Sequence, residues 1–190
     1  MTAMLPMPGS HALVTGGTGG LGGAVANALR EAGCSVVATG LTEAEIASAK
    51  ALGMDARQLN VSDGAAVNDL VGSLRRLDIL VNAAGTIRRR EEFTPEAFAQ
   101  VLDVNLTGTM RLCTAAQPLL AKRGGAIVNV ASLWSFFGGA HAPGYTASKG
   151  GVAQLTKSLA VAWAGDGIRV NAVAPGWIET AMTAPVRADP

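Results

Sequence analysis

Six short apolar runs recur along the 190 residues, at 11–15, 35–39, 56–59, 79–82, 126–131 and 169–174, and turns and helical patterns separate them. Continuous apolar runs of this length, without polar alternation, read as strands buried on both faces. Strands that alternate with helices imply a parallel sheet with right-handed crossovers and helices on both faces. The expected fold is therefore α/β, a doubly wound parallel sheet of Rossmann type with six strands in three αβα layers. In such a sheet the loops that follow the strands share one carboxyl edge, where ligands bind.

The first run, His11 to Thr15, leads straight into Gly16-Gly17-Thr18-Gly19-Gly20-Leu21-Gly22-Gly23. A helix follows, with Leu21, Val25, Ala28 and Leu29 on one face and Gly33 as its stop. A strand, a glycine-rich turn and a helix N-terminus make an anion site, because bare backbone admits a phosphate and free N–H groups face it. A plain glycine turn is the alternative; in this context a dinucleotide pyrophosphate is expected, held by Gly16, Thr18, Gly20, Leu21 and Gly22. At the end of the second run Gly40 and Leu41 offer neither an acid for a ribose 2′-hydroxyl nor an arginine for a 2′-phosphate. NAD is the default expectation, with NADP still open.

Thr42-Glu43-Ala44-Glu45 has the form of a capping box and opens a helix ending near Gly53. Asn60 and Val61 follow the third run, and a helix is expected over Gly64–Leu74. Asn82-Ala83-Ala84-Gly85 follows the fourth, and Arg88-Arg89-Arg90 comes next. Three loop arginines are either a solvated patch or, at a strand's carboxyl end, a grip for a substrate carboxylate. Thr94-Pro95-Glu96 starts a helix whose pattern continues through Asn105 toward Lys122, with Pro118 expected to kink or break it. A buried Asn105 needs partners, as a packing or capping group or as part of a polar relay.

Ser132 closes the fifth run. Beyond it Tyr145 and Lys149 stand four apart, one turn of an expected helix over Tyr145–Ala164. An ammonium roughly 5 Å from a phenol attracts the phenolate by on the order of 3 kcal/mol at an effective dielectric of about 20. Lys149 is thus expected to lower the Tyr145 pKa by about two units and bring it within reach of proton transfer. Taken alone the spacing is loose, and a core tyrosine beside a solvated lysine satisfies it equally well. Pro175-Gly176 closes the sixth run.

The net charge of +1 gives no bulk electrostatic argument for nucleic acid or an anionic membrane. No apolar stretch reaches membrane-spanning length, and the N-terminus lacks the pattern of a signal peptide. Cys34 and Cys113 form no motif and read as buried thiols, while His11 and His141 have no ligand-spaced neighbours, so no metal is expected. A soluble cytoplasmic protein acting on a small molecule is the default.

Together these residues resemble the short-chain dehydrogenase/reductase family over nearly the whole chain. Thr15-Gly16 with Gly20 and Gly22 matches its cofactor turn, and Asn82 to Gly85 its NNAG element with one substitution. Asn105, Ser132, Tyr145 and Lys149 match its catalytic tetrad, and Pro175-Gly176 with Thr180 its element after strand six. The resemblance implies that Tyr145 is the general acid/base and that Lys149 tunes it and holds the nicotinamide ribose. It implies that Ser132 positions the substrate oxygen and that Asn105 supports a water leading to Lys149. Asn82, Ala83, Ala84 and Gly85 are implied on the adenosine side, Ile178 and Thr180 at the carboxamide, and Asn60, in place of the usual aspartate, beside adenine.

Members generally continue through a further helix and a seventh strand. Residues 1–190 are thus expected to be a single dinucleotide-binding catalytic domain, truncated at its C-terminus. The stretches Gly85–Arg89 and Ser135–Gly139 are similar to the sugar-acid branch, which includes 2-deoxy-D-gluconate 3-dehydrogenase and gluconate 5-dehydrogenase. That similarity implies substrate contacts from Arg88, Ser132, Trp134, His141 and Tyr145. An NADPH-dependent 3-oxoacyl-[acyl-carrier-protein] reductase and a non-catalytic dinucleotide-binding module are the alternatives. A homo-oligomer, dimer or tetramer, is expected from the family and from the small residues Ala147, Ser148, Gly150, Gly151 and Ala153 of the Tyr145 helix.

Overall fold

The structure, a computed structural model, describes residues 8–184. Six strands form one sheet: β1 His11–Thr15, β2 Ser35–Gly40, β3 Asp55–Gln58, β4 Ile79–Asn82, β5 Ala126–Val130 and β6 Arg169–Val173. Their order is β3-β2-β1-β4-β5-β6, and every neighbouring pair is parallel. Among the described residues the α-helices bounded at both ends are α1 Gly20–Glu31, α2 Glu43–Ala51, α3 Gly64–Gly72, α4 Pro95–Leu102, α5 Gly108–Ala121 and α6 Pro143–Ala162. The order reverses between β1 and β4, so the chain has the Rossmann-type doubly wound α/β fold that its alternating pattern predicts.

Alternation within β1 divides the core into two layers. Ala12 and Val14 face α1 and α2, packing with Ala26, Ile46 and Ala49. Leu13 faces the other way, toward Val67 and Val71 of α3, Leu112 and Leu120 of α5 and Leu159 of α6. On the α1 side the sheet is not covered throughout: Val128, Val130 and Val173 line an open groove of about 440 Å³ with Val25 and Leu29.

Local chemistry explains where the helices begin. Thr42 accepts from the Glu45 amide, and Glu45 reaches back to the Thr42 amide, completing the capping box. Asp63 accepts from the Ala65 and Ala66 amides at the start of α3, and Thr94 caps α4 with Pro95 in its first turn. Several boundaries differ from expectation by one to three residues, where fraying last turns make pattern a weak guide.

The stretch 94–122 departs more. It breaks at a π-helical turn, Asp103–Thr107, and not at Pro118, which sits inside α5. Pro118 removes one hydrogen bond close to the helix end, where α5 has only three residues left. The π turn lies at Asn105, inside the candidate site, as such turns often do.

Candidate active site

Six strand-end loops converge on the carboxyl edge. Thr15 Oγ1 accepts from the Ala83 and Ala84 amides, each at 3.2 Å, and so locks the loop after β1 to the loop after β4. The two backbones touch: a Cβ on Gly16, which has φ +63°, would lie 2.9 Å from Ala84, and one on Gly22 only 2.2 Å from the Gly16 carbonyl oxygen. Leu21 is the second residue of α1. The helix opens at Gly20 with no side-chain cap and no acid in its first turn, and a Cβ on Gly19 would meet nothing within 4 Å. Bare, unneutralised N–H groups facing open space fit a dinucleotide pyrophosphate. Thr180 hangs over this loop, with its methyl 3.8 Å from a Cβ built on Gly20.

Sequence reading missed an acid at the end of β2. Glu45 Oε2 accepts from the Leu41 and Thr42 amides at 2.8 and 2.9 Å and lies 3.1 Å from a Cβ built on Gly40, with Thr18 Oγ1 closer still. The Thr42 amide, helped by that of Leu41, holds its carboxyl below the usual carboxylate range. The capping box had absorbed this residue; only the curl of the loop brings the same carboxylate beside Gly40 at the carboxyl end of β2.

Asn60 is exposed, and its Oδ1 accepts from the Ser62 amide at 3.0 Å, leaving one lone pair free. Val61 points inward, against Gly108. Asn82 also turns away from the cleft, donating to Asn129 Oδ1 at 2.9 Å and to Cys113 Sγ at 3.3 Å. Burial pushes the Cys113 thiol up to about 12.

Asn105, fully buried, ties three pieces together. Its Oδ1 accepts from the Thr86 amide at 2.8 Å, while Nδ2 donates to the Thr86 carbonyl and to Ser148 Oγ at 2.9 and 3.0 Å. Gly85 packs between Asn105 and Lys149. Lys149 Nζ is buried, donates to the Val130 carbonyl at 2.6 Å and stands 5.5 Å from the centroid of the Tyr145 ring. Ser132 begins the turn after β5 and accepts from the Trp134 amide. Trp134 stands edge-on to Tyr145 and to Trp177, each at 5.7 Å between centroids. The Leu133 amide donates to the Pro175 carbonyl at 3.0 Å, joining this turn to Pro175-Gly176. Thr183, which no motif marks, folds the next segment by donating to the Ile178 carbonyl and accepting from the Thr180 amide.

One electrostatic expectation is corrected. The Tyr145 phenol is raised, not lowered: burial dominates, Glu92 adds to it, and hydrogen bonding with Ser132 only partly offsets them. Burial also pushes the Lys149 amine down to about 8. The same burial that gathers the two groups disfavours both of their charged forms, and spacing along a helix carries no information about that cost.

Among the substrate candidates, Trp134 lies beside Tyr145. The Arg88 guanidinium turns instead to Gln100 and Glu91, and exposed His141 uses its carbonyl to accept from the Arg90 amide at 2.7 Å. In α6, Ser148 and Gly151 are already occupied within the chain, by Asn105 and Leu106.

A bare glycine loop and a tyrosine–lysine–serine cluster on one edge of a Rossmann sheet suit a dinucleotide-dependent oxidoreductase. The model of the short chain dehydrogenase family matches residues 10–190. The chain belongs to that family, and is an NAD(P)-dependent oxidoreductase acting on CH–OH groups. It is 43% identical over 194 aligned positions to the 2-dehydro-3-deoxy-D-gluconate 5-dehydrogenase of Bacillus subtilis, covering 96% of this chain and 76% of the relative. The 3-oxoacyl-[acyl-carrier-protein] reductase of Rickettsia bellii is 37% identical, with 95% and 77% covered. A solved Beutenbergia cavernae structure, provisionally named an NAD(P)-dependent gluconate 5-dehydrogenase and holding NADP, aligns with TM-score 0.86 at 37% identity, over 96% of this chain and 78% of that one.

Proposed function

We propose that this chain transfers a hydride between NAD(H) and a secondary alcohol or ketone of a sugar acid or related carboxylated polyol. The observation that carries the reading is the meeting of Tyr145, Lys149 and the Ser132 turn beside the Gly16–Gly22 loop.

Bound NAD(H) supplies hydride acceptance or return at its nicotinamide C4. Gly16, Thr18, Gly20, Leu21 and Gly22 would hold its pyrophosphate, Asn60 and the backbone of Val61 and of Asn82 to Gly85 would line the adenosine side, and Pro175, Gly176, Ile178 and Thr180 would face the nicotinamide. In the oxidative direction the substrate carbon loses a hydride while Tyr145 Oη takes the hydroxyl proton, leaving a ketone; in reduction Tyr145 returns that proton to the carbonyl oxygen. Ser132 Oγ orients the substrate oxygen. Lys149 stabilises the phenolate and holds the ribose hydroxyls, and Asn105 keeps the Thr86 loop and α6 in register.

The Glu45 carboxylate favours NAD, since its charge opposes a 2′-phosphate. The sugar-acid assignment draws on the Bacillus relative, with Trp134 as an apolar wall beside Tyr145. We also propose a cytoplasmic homo-oligomer, dimer or tetramer: the buried Cys113 thiol suits a reducing compartment, and outward Ala147 and Val161 of α6 offer a contact.

Steady-state assays of sugar acids and polyols with NAD and NADP test the reading. Turnover with NAD that Tyr145→Phe abolishes, cofactor binding being kept, is the expected result. The Rickettsia relative supports a second reading, reduction of a 3-oxoacyl thioester, which a strong NADPH preference with acyl substrates would establish instead.

A further inference from the structure

The helix that carries Tyr145 and Lys149 starts badly. Its N-cap is Ala142, which has no side-chain oxygen, and no acid lies in its first turn. The first N–H groups of a helix need partners, and a carboxylate there is favoured by the helix dipole as well. The missing cap comes from elsewhere in the chain. Glu92, in the short 3-10 turn Glu91–Phe93, is 1% exposed, and its Oε2 accepts from the Tyr145 amide at 2.7 Å across 53 residues. Its other oxygen, Oε1, accepts from the Arg88 amide, also at 2.7 Å. Gly144 leaves the room: a Cβ there would lie 3.2 Å from Glu92 Oε2. A second tie runs alongside, from the Arg90 amide to the His141 carbonyl.

We propose that Glu92 is a positioning residue for Tyr145, a carboxylate that caps α6 in trans and fastens the arginine loop after β4 to the residue that transfers the proton. This rests on the role of Tyr145 proposed above. Each carboxylate oxygen accepts from a backbone donor and the residue is buried, so Glu92 is withdrawn from substrate and acts through Tyr145. The loop and the first turn of the helix then move together, which couples the substrate side of the cleft to the acid/base. The charge has its own consequence: Glu92 is among the causes that hold the phenol high. The other charged groups around the contact are Lys149 on the same helix, 5.5 Å from the ring, and Arg88, Arg89 and Arg90 on the loop, of which Arg88 points its guanidinium at Gln100 and Glu91.

Tyr145 is the only tyrosine in the chain, so tyrosinate absorbance titrates it directly, with no substrate needed. Glu92→Gln keeps the shape, removes the charge and sets an amide N–H against one of the two backbone donors. The expected result is a phenol midpoint lower by about half a pH unit, together with loss of hydrogen-exchange protection in both the 86–92 and 143–147 segments. An unchanged midpoint, or protection lost from one segment alone, overturns the proposal. Should Glu92→Gln fail to fold, Glu92→Asp carries the test. One methylene shorter, it keeps the charge but cannot bridge the two amides, so both segments lose protection while the midpoint holds; protection kept in either segment, or a fallen midpoint, overturns the proposal. Because neither measurement uses turnover, a failed substrate screen would refute the proposed function and leave this result standing.

Discussion

Lys149 holds its Nζ 5.5 Å from the centroid of the Tyr145 ring while donating to the Val130 carbonyl at 2.6 Å. The second contact anchors the catalytic helix to the end of β5 and withdraws the amine from water.

That withdrawal predicts a pH signature. Burial lowers the Lys149 pKa from 10.5 to about 8, whereas the unfolded chain keeps the ordinary value. Between these two values the unfolded state binds more protons, so the stability contributed by this group rises with pH through the window and is lowest below about pH 8. The full effect is on the order of 3 kcal/mol. Lys149→Met removes it: in urea unfolding, wild type gains on the variant by about that amount from about pH 7 to about pH 10.5. A stability gap that does not change with pH would contradict the burial of the charge.

Gly22 and Gly23 are adjacent in α1 and should respond oppositely to alanine. A Cβ on Gly22 would stand 2.2 Å from the Gly16 carbonyl oxygen, an impossible contact, whereas on Gly23 the nearest atom is at 3.6 Å. Gly22→Ala should therefore weaken dinucleotide binding by about 100-fold or more, as displacement of the phosphate loop demands. Gly23→Ala should bind normally and stabilise α1 by about 0.5–1 kcal/mol. Calorimetric titration with NAD and thermal melts of the two variants decide the matter.

Much of this was legible in the sequence because it depends on short-range pattern. Buried strands declare themselves as apolar runs, as Ile79–Asn82 does, and Thr42 and Thr94 announce their helices by caps that need only the next few residues. The convergence of the Gly16 loop, Asn82 to Gly85 and Ser132 on one edge followed from strands that are all parallel. What was not legible depends on pairs distant in sequence or on solvent exclusion. Glu92 reaches Tyr145 across 53 residues. Asn105 has a partner at Thr86 that no local spacing encodes. The direction of the Tyr145 shift reflects burial built by several elements at once, and periodicity on one helix cannot report it.

Cofactor choice should respond to Glu45. Its carboxylate accepts from the Leu41 and Thr42 amides beside Gly40 and, held in its charged form, repels a 2′-phosphate. Glutamine at this position preserves the capping box and removes the charge. Glu45→Gln should raise the ratio of kcat/KM with NADPH to that with NADH by about tenfold, equivalent to about 1.4 kcal/mol. A ratio that does not move would assign Glu45 to helix capping alone.

Asn105 provides the last test, because its three hydrogen bonds occupy both polar groups of the Thr86 backbone as well as Ser148. The π turn at Asp103–Thr107 delivers that side chain inward, so the irregular backbone and the polar tie belong together. Asn105→Ala leaves the Thr86 amide and carbonyl without their partner in a partly buried setting, at a cost of about 1–3 kcal/mol. Asn105→Asp is the sharper variant: one oxygen can still accept from the Thr86 amide, but the other then faces the Thr86 carbonyl, acceptor against acceptor. Both variants should unfold at lower denaturant and lose turnover, with Asp no better than Ala despite its closer shape. Substantial rescue by Asp would mean that the bond to the Thr86 amide alone suffices, and that Asn105 does not hold loop and helix in register by donating to both.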